Sequence, residues 1–363
     1  MGNKVRRIFR WNMTLLIAAV LILFSCGEAV GESAQETVYH IVVLSDAHMP
    51  VIPRDKPKET PTDKAAQSIE NAKIETAKNH LIANINGWND VTRFVALGDM
   101  VGSYGSDAEY AAATSFFGKL NKPVSYIVGN HDYIYVGRQP KPPTAANPDP
   151  NQFEFMRGTP QQRKEKLNRF QQEYKQSDLY FTQEYGKYLL VFLSTDSLDS
   201  KRLCEYSQEQ MSWLQGVLTA NQNRPTIIFA HAPLFGTLKD YNTLVNEPSF
   251  IALPEIVPDA LRNGHKIEEP KPGTIEFRSL LEDNPQVFMW VSGHTHTAAT
   301  NNSFASGINL YNGRVHDIQN PTLNGEVIWT NSIYLYPDKV VVRTYRHSDN
   351  QWLPEFDREF PVE

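Results

Sequence analysis

The chain has 363 residues, 41% apolar and 21% charged, with a formal net charge of -6. That is enough for one large domain or two small ones of ordinary globular composition. A mildly acidic balance argues against nucleic acid as the main partner, because a phosphate backbone is bound by clustered Lys and Arg. It leaves room for a small phosphorylated substrate, whose charge bound metal ions can meet.

The first segment differs from the rest. Lys4, Arg6, Arg7 and Arg10 form a basic start, and residues 11–24 an uncharged apolar run. The run has the length of a signal-peptide core and falls short of the ~20 residues a spanning helix needs. It ends in Leu23-Phe24-Ser25-Cys26-Gly27, which resembles a bacterial lipobox. In such signals the Cys becomes the first mature residue and carries lipid on its sulfur. The expectation is a signal peptide over 1–25, lipid on Cys26, a tether over 26–37 and a single domain over 38–363. That domain would sit at the cell envelope, anchored to the membrane and facing the periplasm or the exterior. With Cys26 lipidated, Cys204 has no disulfide partner left in the chain. Nothing near it in sequence suggests an activated thiolate, so it reads as a small buried or half-buried thiol.

Residues 39–44 are β-branched and apolar, and predict a buried strand. A Pro- and charge-rich stretch leads into a helical pattern over 63–85, with Ala65, Ile69, Ala72, Ala77 and Leu81 toward one side. A strand at 92–97, a helix at 107–120 and a strand at 124–128 follow. Residues 138–160 hold several prolines and little periodicity, and read as a long functional or mobile loop. Residues 189–194 predict another strand. Ser207 and Gln210 have capping-box spacing at the start of a helix whose apolar face is Trp213, Leu214 and Val217. Residues 226–230 and 287–291 are two more short buried strands. The tail alternates at 326–330, 332–336 and 339–345, with a turn at Pro337-Asp338. It predicts antiparallel strands completing a sheet rather than a separate domain. The alternation of strand and helix predicts an α/β fold with a helix-covered sheet.

Five of the ten histidines fall in short polar motifs, each just after a predicted strand. The motifs are Ser45-Asp46-Ala47-His48, Gly98-Asp99, Gly129-Asn130-His131-Asp132, Ala230-His231-Ala232-Pro233 and Gly293-His294-Thr295-His296. Ligands bind beyond the carboxyl ends of strands in open α/β sheets, so these residues would meet at one sheet edge. Glycines 98, 129 and 293 permit sharp turns and close approach there. Carboxylates, imidazoles and an amide suit Mn, Fe or Zn better than Ca. About seven such ligands exceed one tetrahedral zinc and fit two divalent ions sharing a carboxylate.

The five motifs, in this order, resemble the calcineurin-like metallophosphoesterase superfamily, and the likeness spans about residues 38–300. It implies a four-layer α/β/β/α sandwich. It also implies two divalent metal ions and a metal-bridged hydroxide that attacks phosphorus. By position, Asp46, His48 and His296 match ligands of the first ion, Asp99 the bridging carboxylate, and Asn130, His231 and His294 ligands of the second. His131 matches a non-ligand histidine aimed at the substrate phosphate, and Asp132 the partner that orients its ring. The purple acid phosphatase branch has a metal-binding Tyr three residues after the bridging Asp; here Gly102 stands there, so no tyrosinate–iron site is expected.

His40, His80, His265, His316 and His347 read as structural, with a substrate-rim contact as the alternative for His316. Asp196 reads as a turn or helix cap, and Arg138 as a solvated loop charge. Tyr133, Tyr135 and Phe235 flank the motifs and either line a pocket or pack. The function implied is a secreted, lipid-anchored phosphomonoesterase or phosphodiesterase acting on a phosphorylated small molecule, a lipid head group or a nucleotide. The competing expectation is a non-enzymatic surface-binding lipoprotein that keeps the fold. That reading predicts broken ligand positions, and none is broken.

Overall fold

The computed structural model describes residues 37–51, 61–144, 153–200, 202–234, 236–238 and 275–362. The first third carries β1 (Tyr39–Leu44), α1 (Pro61–Asn86), β2 (Val91–Ala96), α2 (Asp107–Phe117), β3 (Val124–Tyr126) and α3 (Asn130–Tyr133). Next come β4 (Tyr135–Pro140), β5 (Phe153–Arg157), α4 (Pro160–Tyr174), β6 (Phe181–Tyr185), β7 (Tyr188–Leu193), α5 (Gln208–Ala220) and β8 (Thr226–Ala230). The last part holds α6 (Phe277–Asp283), β9 (Val287–Ser292), β10 (Leu310–Tyr311), β11 (Val315–Gln319), β12 (Trp329–Leu335), β13 (Lys339–Arg346), β14 (Gln351–Trp352) and β15 (Arg358–Pro361).

The near-continuous apolar strands are what a sheet covered on both faces demands. β1, β2 and β3 pair in parallel. In this first sheet Val42, Leu44, Phe94 and Ala96 face Leu81, Ile85, Ala113 and Phe116 of the helices. Ile41, Val43, Val95 and Leu97 point the opposite way. They meet Leu190, Phe192, Ile227, Phe229, Met289 and Val291 of a second sheet. That sheet runs β10-β11-β9-β8-β7-β6, with its four central strands parallel. Its outer face, with Val191, Leu193, Ile228 and Trp290, takes α5 and α6. The layers are therefore helix, sheet, sheet, helix, as the resemblance implied.

The tail does complete a sheet, since β12 pairs antiparallel with β1 and β13 with β12. The strands expected at 326–330 and 332–336 are one strand. Asn331 lies between them, and its buried amide is satisfied by Gln319 O, Asn320 Oδ1 and the Thr344 hydroxyl, so the ladder runs on.

Three other expectations need correction. Within residues 138–160, β4 and β5 form an antiparallel pair, and α4 follows. The pair is sewn by the Arg138 guanidinium 4.3 Å from the Phe153 ring centre and 5.1 Å from that of Phe155, a signal without period. α4 buries only Arg163, Leu167 and Phe170, too thin a stripe for periodicity to register. On α1 the buried face is Ile74, Lys78, Leu81, Ile82 and Ile85, whereas Ile69 is 61% exposed. On α5, Ser207 Oγ accepts the Gln210 N–H at 3.1 Å, but the Gln210 amide turns away to both peptide groups of Ser194. The cap is one-sided. Met211, Leu214 and Leu218 are buried there, with Trp213 and Val217 half-buried beside them.

Candidate metal centre

The motifs occupy the carboxyl ends of β1, β2, β3, β8 and β9, and the stacking of the two sheets brings these ends together. Five motif residues have left-handed backbone: Asp46 (φ 52), His48 (φ 43), Asp99 (φ 50), His294 (φ 65) and His296 (φ 53). Each such residue costs of order 1–3 kcal/mol and persists where surrounding structure enforces it, most often at functional sites. Two glycines make the approach possible. A Cβ on Gly98 (φ 94) would stand 2.6 Å from Gly129 N and 2.7 Å from His231 Nδ1. One on Gly293 would run into Ser45 Oγ and stand 2.6 Å from Asp46 Oδ2.

The site has an outer and an inner half. In the outer half His48 Nε2 and His296 Nε2 are 3.0 Å apart, and Asp46 Oδ1 is 3.3 Å from His296 Nε2. Asp46 Oδ2 accepts the Ser45 hydroxyl and the His294 N–H at 2.9 Å, which leaves the buried Oδ1 without a hydrogen-bond donor. In the inner half His231 Nδ1 lies 2.7 Å from Leu97 O. A carbonyl can only accept, so Nδ1 carries the proton and Nε2 of the neutral ring presents a lone pair. That Nε2 faces Asn130 Oδ1 at 3.1 Å, His294 Nδ1 at 3.1 Å and Asp99 Oδ2 at 3.4 Å. Asp99 Oδ2 also lies 4.0 Å from His48 Nε2, so this oxygen stands between the halves. Its Oδ1 accepts the His131 N–H at 2.8 Å.

Carboxylate and amide oxygens and imidazole nitrogens thus converge from both sides, an arrangement that a cation makes favourable. Without a metal, a proton serves. Burial disfavours the His231 imidazolium, yet the Asp99 carboxylate outweighs it and raises the ring to about 9. Burial and the His296 charge lower His48 to about 3, and burial and His231 lower His294 to about 3. Burial opposes the Asp46 and Asp99 carboxylates, but the imidazoles hold both below the usual range. The residues present therefore fit a divalent metal centre.

His131 comes within 4.8 Å of ligand atoms of His48 and Asp99. Its Nδ1 is 2.9 Å from Ser103 O, which fixes the proton on that nitrogen. Tyr135 and Phe155 pack edge-on against its ring at 5.1 and 5.4 Å. The role expected for Asp132 is corrected here. Its carboxylate accepts four backbone N–H groups, from Gly129 (2.8 Å), Asp99 (2.9 Å), Met100 (3.1 Å) and Val101 (3.2 Å), and serves the Asp99 loop rather than the His131 ring. Burial and Asp99 push Asp132 up to about 7, while the Gly129 and Val101 N–H groups pull it down. Arg138 is likewise no solvated loop charge: it donates to Ser103 Oγ on the residue that orients His131. Tyr133 is packed away, Tyr104 packs against the helix-side core, and Asp196 holds Ser207, the N-cap of α5. His316 packs on Phe360 at 4.6 Å. His265, Phe235 and Cys26 lie outside the described residues.

A family model described as calcineurin-like phosphoesterase matches residues 39–298, well over half of the sequence. The chain belongs to the calcineurin-like phosphoesterase family. Similar solved structures include the purple acid phosphatase PPD1 from yellow lupin (Lupinus luteus) seeds, at 14% identity and TM-score 0.48, covering 91% of this phosphoesterase and 54% of that chain. TT1561 of Thermus thermophilus is similar at 9% identity and TM-score 0.37, with 90% and 100% covered. Vps29 from Cryptosporidium parvum is similar at 10% identity and TM-score 0.33, with 90% and 98% covered. The chain spans about half the length of the lupin protein. No curated protein matches it in sequence.

Three residues of the site carried no sequence signal. Lys78, 2% exposed on α1, donates to Ala47 O between two ligand positions and to Asn324 Oδ1 at 3.3 Å; burial lowers it to about 7. Asp317 accepts Leu234 N–H at 2.9 Å and the Thr237 and Ser292 hydroxyls at 2.7 Å each, bracing the loop after His231. Cys204 is 3% exposed beside the inner half, and burial pushes its thiol well up.

Proposed function

We propose that this phosphoesterase hydrolyses a phosphoric ester with two divalent ions, one held by Asp46, His48, Asp99 and His296 and the other by Asp99, Asn130, His231 and His294. The observation that carries this reading is the convergence of Asn130 Oδ1, His294 Nδ1 and Asp99 Oδ2 on His231 Nε2 at 3.1–3.4 Å. The donor set suits Mn, Fe, Zn or a mixture. Bound ions would supply Lewis acidity and an acidified solvent nucleophile.

The protein's own residues do the rest. Asp132 fixes the backbone around Asp99 through four N–H groups. Ser103 O and the Tyr135 and Phe155 rings set the His131 plane. With Nδ1–H engaged, His131 acts through Nε2, stabilising charge on the phosphoryl group or giving a proton to the leaving oxygen. We take the substrate to be a phosphorylated small molecule, a lipid head group or a nucleotide, as monoester or diester. The lipobox-like Cys26 supports an envelope location with membrane attachment by lipid.

The purified protein with added Mn, given a chromogenic monoester and a chromogenic diester, tests the activity. Turnover of at least one is expected. Turnover of neither, with metal bound at stoichiometric amounts, overturns the enzyme reading. Cys26→Ser should move the protein from the membrane fraction to the soluble one; unchanged partition overturns the anchor.

A further inference from the structure

We propose that Cys204 is a sulfur ligand in the inner half of the metal centre. This rests on the metal-centre reading above. Cys204 lies between β7 and α5, and its Sγ and ligand nitrogens of His231 and His294 all fall within 4.8 Å of one another. Its S–H points at Asn130 Oδ1, 3.9 Å away, an oxygen itself 3.1 Å from His231 Nε2. A buried thiol ordinarily packs as a small hydrophobe. This one stands beside an amide oxygen and two imidazoles that share one focus. The same centre holds Asp46 Oδ1, a wholly buried oxygen with no hydrogen-bond donor, whose carboxylate is grouped with Asp99 and His231 within 4.8 Å. Two buried groups therefore point into the centre with capacity to spare.

When Cys204 binds, its S–H bond breaks, the sulfur electron pair forms the S–metal bond, and the proton leaves to solvent. No oxidation state changes. A thiolate added to imidazole, amide and carboxylate shifts preference from Mn toward Zn or Fe. The inner position therefore favours a softer ion than the outer one, whose donors are oxygen and nitrogen alone.

Cobalt(II) loading tests this on the full chain. The sequence has 2 cysteines, so Cys26→Ser leaves Cys204 as the sole sulfur of that type. The wild type and C26S, each shown by elemental analysis to hold cobalt, should display a near-ultraviolet sulfur-to-cobalt charge-transfer band. C204S and C204A should bind cobalt without it, and should bind zinc about 10–100-fold more weakly at one of two positions. Cobalt bound in C26S without the band overturns the assignment while leaving the metal centre standing. A band that survives in C204S also overturns it. Failure of the wild type to bind cobalt overturns both. If C204S does not fold, the C26S spectrum decides.

Discussion

Two groups of buried histidines sit in this molecule, and what faces their rings separates them. On the helix side of the first sheet, His40 stacks on Tyr334 at 4.2 Å and Trp88 at 5.9 Å, with Asp90 Oδ2 3.1 Å from Nδ1. Its neighbour His347 stacks on Trp88 at 6.0 Å, with Thr330 Oγ1 2.9 Å from Nε2 and the Asn84 amide nitrogen 3.4 Å from Nδ1. Aromatic faces surround both rings, and polar groups at both nitrogens of His347 satisfy that ring without any ion. His231 is as deeply buried, yet its Nε2 faces an amide oxygen, a carboxylate oxygen and a second imidazole nitrogen. Burial and residue type are common to both groups. What surrounds the ring separates them: ligand-type atoms crowd around His231 Nε2, whereas aromatic faces enclose His40 and His347.

Asp99→Asn strikes the contrast hardest, since Asp99 Oδ2 serves both halves of the centre. We expect ester hydrolysis to fall about 10³-fold or more while the fold persists. A near wild-type rate would remove Asp99 from its shared position. His131→Ala should lower kcat by about 10²–10⁴-fold with metal content unchanged, as for loss of an acid–base group. Loss of metal from that variant would move His131 into the ligand set. Gly293→Ala places a methyl group against Ser45 Oγ and Asp46 Oδ2. It should destabilise the protein by about 1–3 kcal/mol and deplete the outer half first; an unchanged denaturation midpoint would contradict the close packing.

The last effect, absent at neutral pH, tests the packing group. Burial lowers His347 to about 3, against an ordinary 6.5, with His80 adding to it. Below pH 6.5 the unfolded chain takes up a proton that the folded chain refuses. Stability is therefore full above that pH and is lost as pH falls toward 3, by about 1.4 kcal/mol per pH unit. His347→Gln should flatten this acid slope, read from urea unfolding between pH 6.5 and 4. An unaltered slope would assign the acid sensitivity elsewhere.

Much of this was legible in advance. The strands before each motif announce themselves because a strand buried on both faces is a local run of β-branched and aromatic residues. The motifs supply seven residues of ligand type, and the structure brings all seven to one place. The partners were not legible. Asp132 follows His131 in sequence, but its carboxylate turns to the loop after β2, while Ser103 O holds the ring. Lys78 looks like one more surface charge on a polar helix until α1 packs it under Ala47. Cys204 has no informative neighbours along the chain, and its neighbours in space come from the loops after β3, β8 and β9.

By itself the sequence determined the chemistry available: which donors exist, and that each follows a strand. Periodicity and residue type are local properties, and both can be read along the chain. Tertiary structure decided which atoms face each other, and hence which histidines are grouped with carboxylates, which nitrogen holds the proton and what a lone thiol stands beside. Those contacts join residues as far apart as Asp46 and His294, 248 positions away, and only the stacking of two sheets sets their distance.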